Sequence, residues 1–188
     1  MQIIANKINA DGDNLYSRKN MKVAKKMLKY FDNYLYYNTM GNYKWLDVGA
    51  GDNYLRSLIT HLKMETSNID LDYEKYPYYD GEMSLITSFN VIEHLYNPLF
   101  HLKEVHRVLS KRGDFILVTC NDYSLIYKFE HLFSRKYKPH FHQFSEYDLR
   151  CILERAGFNI ISFKKTTYGT GTLARISRNM FFIHASKL

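Results

Sequence analysis

Residues 45–55 read WLDVGAGDNYL. Trp45, Leu46 and Val48 predict a short buried strand, Lys44 to Val48, with one carboxylate, Asp47, among them. The strand runs into Gly49-Ala50-Gly51. A Cβ at Gly49 or Gly51 would hold a ligand off the backbone and forbid positive φ. The turn therefore reads as a surface for a thin or flat ligand. The helix expected over 53–62 would point its N-terminal N–H groups there and favour a negative group.

Downstream, Asn68 to Leu71 reads as a brief strand ending in Asp70 and Asp72. Asp70 lies 21 positions after Gly49 (70 minus 49), where a carboxylate can accept hydrogen bonds from ribose hydroxyls. A nicotinamide dinucleotide requires a third glycine where Tyr54 stands. A triphosphate requires a longer glycine loop followed by Lys-Ser or Lys-Thr, which this turn lacks. S-adenosylmethionine is the candidate that remains.

The rest of the chain alternates strands with helices. Ser84 to Phe89 is an apolar strand. Asn97-Pro98 starts a helix, Asn as cap and Pro in the first turn, with Leu99, Leu102, Val105, His106 and Leu109 as its stripe. Gly113 ends the connection to a strand at Phe115 to Thr119. A helix is expected from Tyr123 to Phe133. Ser145 and Asp148 form a capping pair before Leu149, Ile152 and Leu153, and Gly157 stops that helix. Phe158 to Phe163 and Met180 to Ala185 are the last two strands. On the N-terminal side, residues 1–16 form an arm, and Ser17 caps a helix with Ala24, Met27, Leu28, Phe31 and Leu35 on one face. This order predicts an α/β chain with a mostly parallel sheet, ligands binding beyond the carboxyl ends of its strands.

Net charge is +7, from 26 basic and 19 acidic residues. The basic residues cluster at helical spacing and fit solvated helix faces, so nucleic acid is a secondary expectation. Cys120 and Cys151 have no metal-ligand spacing, and no metal is expected. No run approaches the roughly 20 apolar residues of a membrane span. The expectation is a cytoplasmic protein with no membrane partner, monomeric or homodimeric.

Residues 83–120 read MSLITSFNVIEHLYNPLFHLKEVHRVLSKRGDFILVTC. This segment, WLDVGAG, and HFHQFSEYDLRCILERAGF resemble the class I S-adenosylmethionine-dependent methyltransferases, in particular a small bacterial group with a Val-Ile-Glu-His-Leu segment. The resemblance covers roughly residues 40–165. It implies a Rossmann-like sheet of seven strands with the last one antiparallel. It implies a single methyltransferase domain over 1–188, with an arm and helix at 1–40 and a core at 41–188.

By the same resemblance, Asp47, Gly49, Ala50 and Gly51 line the methionine and ribose portion of S-adenosylmethionine. Asp70, with Leu71, holds the ribose, while Ser88, Phe89 and Asn90 face the sulfonium and the acceptor. Asn53 stands where many members have a third glycine. Only 14 positions separate Asp70 from Ser84 (84 minus 70), so the third strand and its helix should be cut down or missing.

Methyl transfer needs alignment and exclusion of water, and a base only if the acceptor must lose a proton. The candidate bases are His94, Glu93 and His142, with His140 beside them; the same side chains are the alternative metal set. The expected activity is methyl transfer to a small-molecule acceptor, at oxygen. The alternatives are an RNA methyltransferase and a non-catalytic partner or regulator that keeps the fold.

Overall fold

The computed structural model describes Lys25 and residues 44–50, 64–67, 69–121, 141–167 and 179–188. The helices expected over 17–35, 53–62 and 123–133 lie outside these residues, as do Gly51, Asn53, His140 and the 168–178 crossing. The described elements are β1 (Trp45–Val48), β2 (Met64–Ser67), β3 (Met83–Phe89), a 3-10 turn (Ile92–His94), α1 (Pro98–Val108), β4 (Leu109–Asn121), α2 (Glu146–Arg155), β5 (Phe158–Thr167) and β6 (Asn179–Lys187).

They build one sheet in the order β2-β1-β3-β4-β6-β5. β1 pairs in parallel with β2 and β3, and β3 with β4; β6 runs antiparallel between β4 and β5. All four residues of β1 are buried, as an interior parallel strand requires. The strand order reverses between β1 and β3, and Val48 lies in register with Ser88. The ends of these two strands flank the crevice where such sheets bind ligands.

Local signals placed α1 and α2 correctly. The Asn97 side chain accepts from Phe100 N at 3.2 Å, with Pro98 in the first turn. Ser145 and Asp148 form a reciprocal capping box. Gly157 takes φ +98 and ends α2, and a Cβ added there would lie 2.9 Å from His106 Nε2. The stripe of α1 is rotated from expectation. His101, Leu102, Glu104, Val105 and Val108 are buried, whereas Leu99 and His106 are only half-buried. α1 and α2 pack against each other, and Leu102, Val105, Leu149 and Leu153 join Phe115, Phe158 and Ile183 of the sheet in one core.

Two expectations change. β2 runs from Met64 to Ser67, not from 68 to 71, because Asp70 already folds into a turn. The Asp70 carbonyl accepts from Glu74 N at 2.9 Å, and its Oδ1 takes the Asp72 N–H at 2.9 Å. β4 begins at Leu109 rather than Phe115, and its register on β3 jumps between Leu109 and Asp114. Six strands are present among the described residues, as expected of a seven-strand sheet that lacks its third. Residues 69–82 carry no strand or helix and link β2 directly to β3, the shortening expected from the sequence.

Arg107 of α1 holds that linker. Its guanidinium donates to the Tyr76 and Tyr78 carbonyls at 3.0 and 2.9 Å. It also reaches Asp80 at 2.7 Å and both oxygens of Glu104 at 2.9 and 2.7 Å. Glu104 accepts the Tyr76 N–H at 2.8 Å. This fan of bonds does for the linker what a sheet ladder would have done. Arg107→Met leaves the mostly buried Glu104 carboxylate without its charged partner, only the Tyr76 N–H remaining, and two carbonyls without the guanidinium donor. It should cost about 3 to 5 kcal/mol, read as a lower midpoint in urea. An unchanged midpoint would show that the linker needs no staple.

Candidate active site

The glycine turn is built against two other strand ends. Gly49 has φ +70, and an added Cβ would lie 2.5 Å from Val91 Cγ2 and 3.4 Å from Leu71 Cδ1. The nearest reason for glycine is therefore packing. The chain leaving β3 at Val91 and the turn after β2 at Leu71 both close onto the end of β1. Ala50 is half-buried beside it. Three segments far apart in sequence thus meet at the switch point of the sheet.

Asp47 is 2% exposed. Thr87 Oγ1 donates to its Oδ1 at 2.6 Å, and Trp45 Nε1 donates to the same hydroxyl at 3.0 Å. Burial raises the Asp47 pKa to about 7, against the opposing effect of the Thr87 bond. Asp70, by contrast, is exposed, and Leu71 beside it is buried. Oδ1 of Asp70 is committed to the Asp72 N–H, and among the described residues none donates to Oδ2. Asp72 is buried and accepts from Asn97 N at 2.8 Å, which ties this turn to the start of α1.

At the end of β3, Ser88 is fully buried, and its hydroxyl lies 3.5 Å from His101 Nε2. Phe89 is half-buried. Asn90 takes φ +52, uncommon outside glycine, while its N–H donates to Val118 O at 2.8 Å. Its side-chain oxygen is buried with no hydrogen-bond partner. Such an orphan acceptor calls for a donor. The amine and hydroxyl groups of a nucleoside that carries an amino acid are donors of that kind, so the residues here fit the group.

The Glu93 carboxylate is turned inward. It is 1% exposed and accepts from Thr119 Oγ1 at 2.8 Å and from Cys120 Sγ at 3.5 Å. Its carbonyl accepts from Phe141 N at 2.9 Å and His142 N at 3.2 Å. Glu93 is thus the anchor that brings the 141–145 segment to the 3-10 turn. His94 closes that turn, half-buried, and the half-buried His142 ring stacks on Phe144 at 5.5 Å. Two of the expected bases meet here through the backbone of the third. No three His, Cys, Asp or Glu side chains among the described residues converge on a metal position.

Sequence reading missed the polar groups behind this site: Thr87, Thr119, Tyr76 and His101. For His101 a signal was present. Positions 101, 105 and 108 follow helical spacing together with Leu102, and a stripe drawn through them would have put the imidazole inside.

A methyltransferase-domain model matches residues 15–163. The chain belongs to the methyltransferase-domain family. Its sheet is that of the class I S-adenosylmethionine-dependent methyltransferases, less the third strand among the described residues. A methyltransferase of this type from Archaeoglobus fulgidus superposes with a TM-score of 0.64 at 14% identity, covering 93% of this chain and 100% of that one. Another, from Methanosarcina mazei, gives 0.58 at 16% identity, covering 82% and 97%. The [4+2]-cyclase SpnF gives 0.65 at 12% identity, covering 95% and 85%. At such identities the likeness establishes architecture, and SpnF carries a different reaction on it. No curated protein matches this methyltransferase in sequence. No helix of the described residues is long and apolar enough to cross a membrane.

Proposed function

We propose that this chain transfers a methyl group from S-adenosylmethionine to a small-molecule acceptor, at oxygen. The observation that carries the reading is the meeting of Gly49, Leu71 and Val91 at the switch point, with Asp47 and Asn90 at the two strand ends beside it. When bound, the cofactor supplies a methyl group already activated by sulfonium. Asp47, Gly49, Ala50 and Gly51 hold its methionine and ribose portion. Asp70 takes the ribose hydroxyls through Oδ2, with Leu71 against the sugar. Phe89 and Asn90, backed by Ser88, face the sulfur and the acceptor, and the Asn90 side-chain oxygen takes a donor of the ligand.

Glu93 holds the 141–145 segment in place rather than moving a proton, since its carboxylate is already engaged. His94 and His142 are the groups that accept the acceptor's proton. The protein is read as one domain over 1–188, cytoplasmic, monomeric or homodimeric. The charge of +7 supports RNA as the second acceptor class. An RNA acceptor would bind less tightly as salt rises, whereas a neutral small acceptor would not.

Titration calorimetry with S-adenosylmethionine and S-adenosylhomocysteine, with NADH as control, tests the reading. The expected result is micromolar binding of the first two and none of NADH, followed by methyl incorporation into a hydroxyl-bearing acceptor. No binding at millimolar cofactor would leave a non-catalytic scaffold.

A further inference from the structure

Behind the end of β3 lies a buried polar chain that the reaction does not use. His101 is fully buried on α1. Its Nδ1 is 2.6 Å from the Tyr76 hydroxyl, and its Nε2 faces the Ser88 hydroxyl at 3.5 Å. Tyr76 is itself 2% exposed and fixed at both backbone groups, its N–H on Glu104 and its carbonyl on Arg107. Leu102, Val105 and Val108 fill neighbouring positions on the same helix. A purely structural position there is served by another aliphatic side chain, which brings no polar group to satisfy. Instead, the linker that replaces a strand and a helix sends a hydroxyl through an imidazole to Ser88. Ser88 pairs with Val48, beside the glycine turn, and lies two residues before Asn90.

We propose that His101, held by Tyr76, is a positioning residue that fixes Ser88 and thereby the Phe89–Asn90 end of β3 against the bound cofactor. With the Tyr76 hydroxyl donating to Nδ1, the ring carries its proton on Nε2 and donates to Ser88 Oγ. The shortened linker thus supplies both the ribose carboxylate, Asp70, and the support behind the methyl-transfer end of the site. The inference rests on the cofactor reading given above.

The test separates positioning from packing. In Tyr76→Phe/His101→Leu the close 2.6 Å pair goes together, and only the Ser88 hydroxyl loses a contact, the long one at 3.5 Å, so the fold is retained. This double variant should melt within a few degrees of wild type yet bind S-adenosylhomocysteine about tenfold more weakly, as expected when a supporting contact lets a site drift. His101→Gln, whose amide can both accept from Tyr76 and donate to Ser88, should bind within about threefold of wild type. On His-labelled protein, the His101 Nε2–H signal should shift on adding S-adenosylhomocysteine. Wild-type affinity in the double variant overturns the proposal, as does a Gln variant that binds no better than the double variant. Wild-type protein that fails to bind S-adenosylhomocysteine overturns the cofactor reading itself, a different and separable result.

Discussion

Gly49→Ala lowers affinity for S-adenosylhomocysteine by about 100-fold, the scale of a site displaced by roughly 1 Å. Two costs act together. A non-glycine residue at φ +70 loses about 1 to 2 kcal/mol to backbone sterics. The new Cβ also meets Val91 Cγ2 at 2.5 Å and Cγ1 at 3.1 Å, so the chain leaving β3 must retreat from the end of β1. That retreat carries Asn90 with it. Val91→Ala removes both offending carbons and leaves the Leu71 contact at an ordinary 3.4 Å. Gly49→Ala/Val91→Ala should therefore recover a large part of the affinity and of the melting temperature, the backbone strain alone remaining. Calorimetry on the three variants checks this. Tight binding by Gly49→Ala alone would mean that the three segments need not meet.

Asp47→Asn should move stability and binding in opposite directions. In the folded protein Asp47 titrates at about 7, whereas an exposed Asp titrates near 3.8. Between those values the folded state holds a proton that the unfolded chain has released. The contribution of Asp47 to stability therefore falls as pH rises from about 4 to about 7 and stays lowered above, the reverse of a salt-bridged carboxylate. By pH 8 the loss amounts to about 4 kcal/mol. Asp47→Asn keeps an acceptor for Thr87 and removes the charge. It should melt well above wild type at pH 8 and close to it at pH 4.

Cofactor binding carries the other sign. The sulfonium and ammonium groups favour ionised Asp47, so wild-type affinity should rise about tenfold per pH unit below about 7 and level off above it. The Asp47→Asn protein should bind more weakly at pH 8, with no such slope. Titrations at pH 6 and pH 8 decide it. An unchanged slope in the variant would place the titrating group elsewhere.

What the sequence disclosed follows from range. The strand at Trp45 to Val48, the Asn97-Pro98 start and the Ser145–Asp148 box depend on neighbours a few residues apart, and all three are as read. β2 was misplaced because Met64–Ser67 has little apolar character, and its strand identity comes from pairing with β1. Glu93 reads as a candidate base because it follows the strand end that should face the methyl group. Only the fold puts Thr119 and Cys120, 26 and 27 positions later, against its carboxylate. The Tyr76–His101 pair and the Arg107 staple likewise join residues 25 to 31 positions apart, and no local pattern announces them.

The place of β6 has a consequence for how the sheet is made. Among the described strands β5 is hydrogen-bonded to the sheet only through β6, which lies between it and β4. A chain growing from the ribosome produces β5 first, and β5 has no ladder partner until residues 179–187 emerge. Phe158 can already meet Phe115 and His106, but Phe163 must wait for Phe181. The last event of assembly is then the threading of a strand between two others, a long-range step that sets the folding rate. Synthesis stalled before residue 179 should leave the half of the sheet that holds the cofactor residues formed and the other half open to proteolysis.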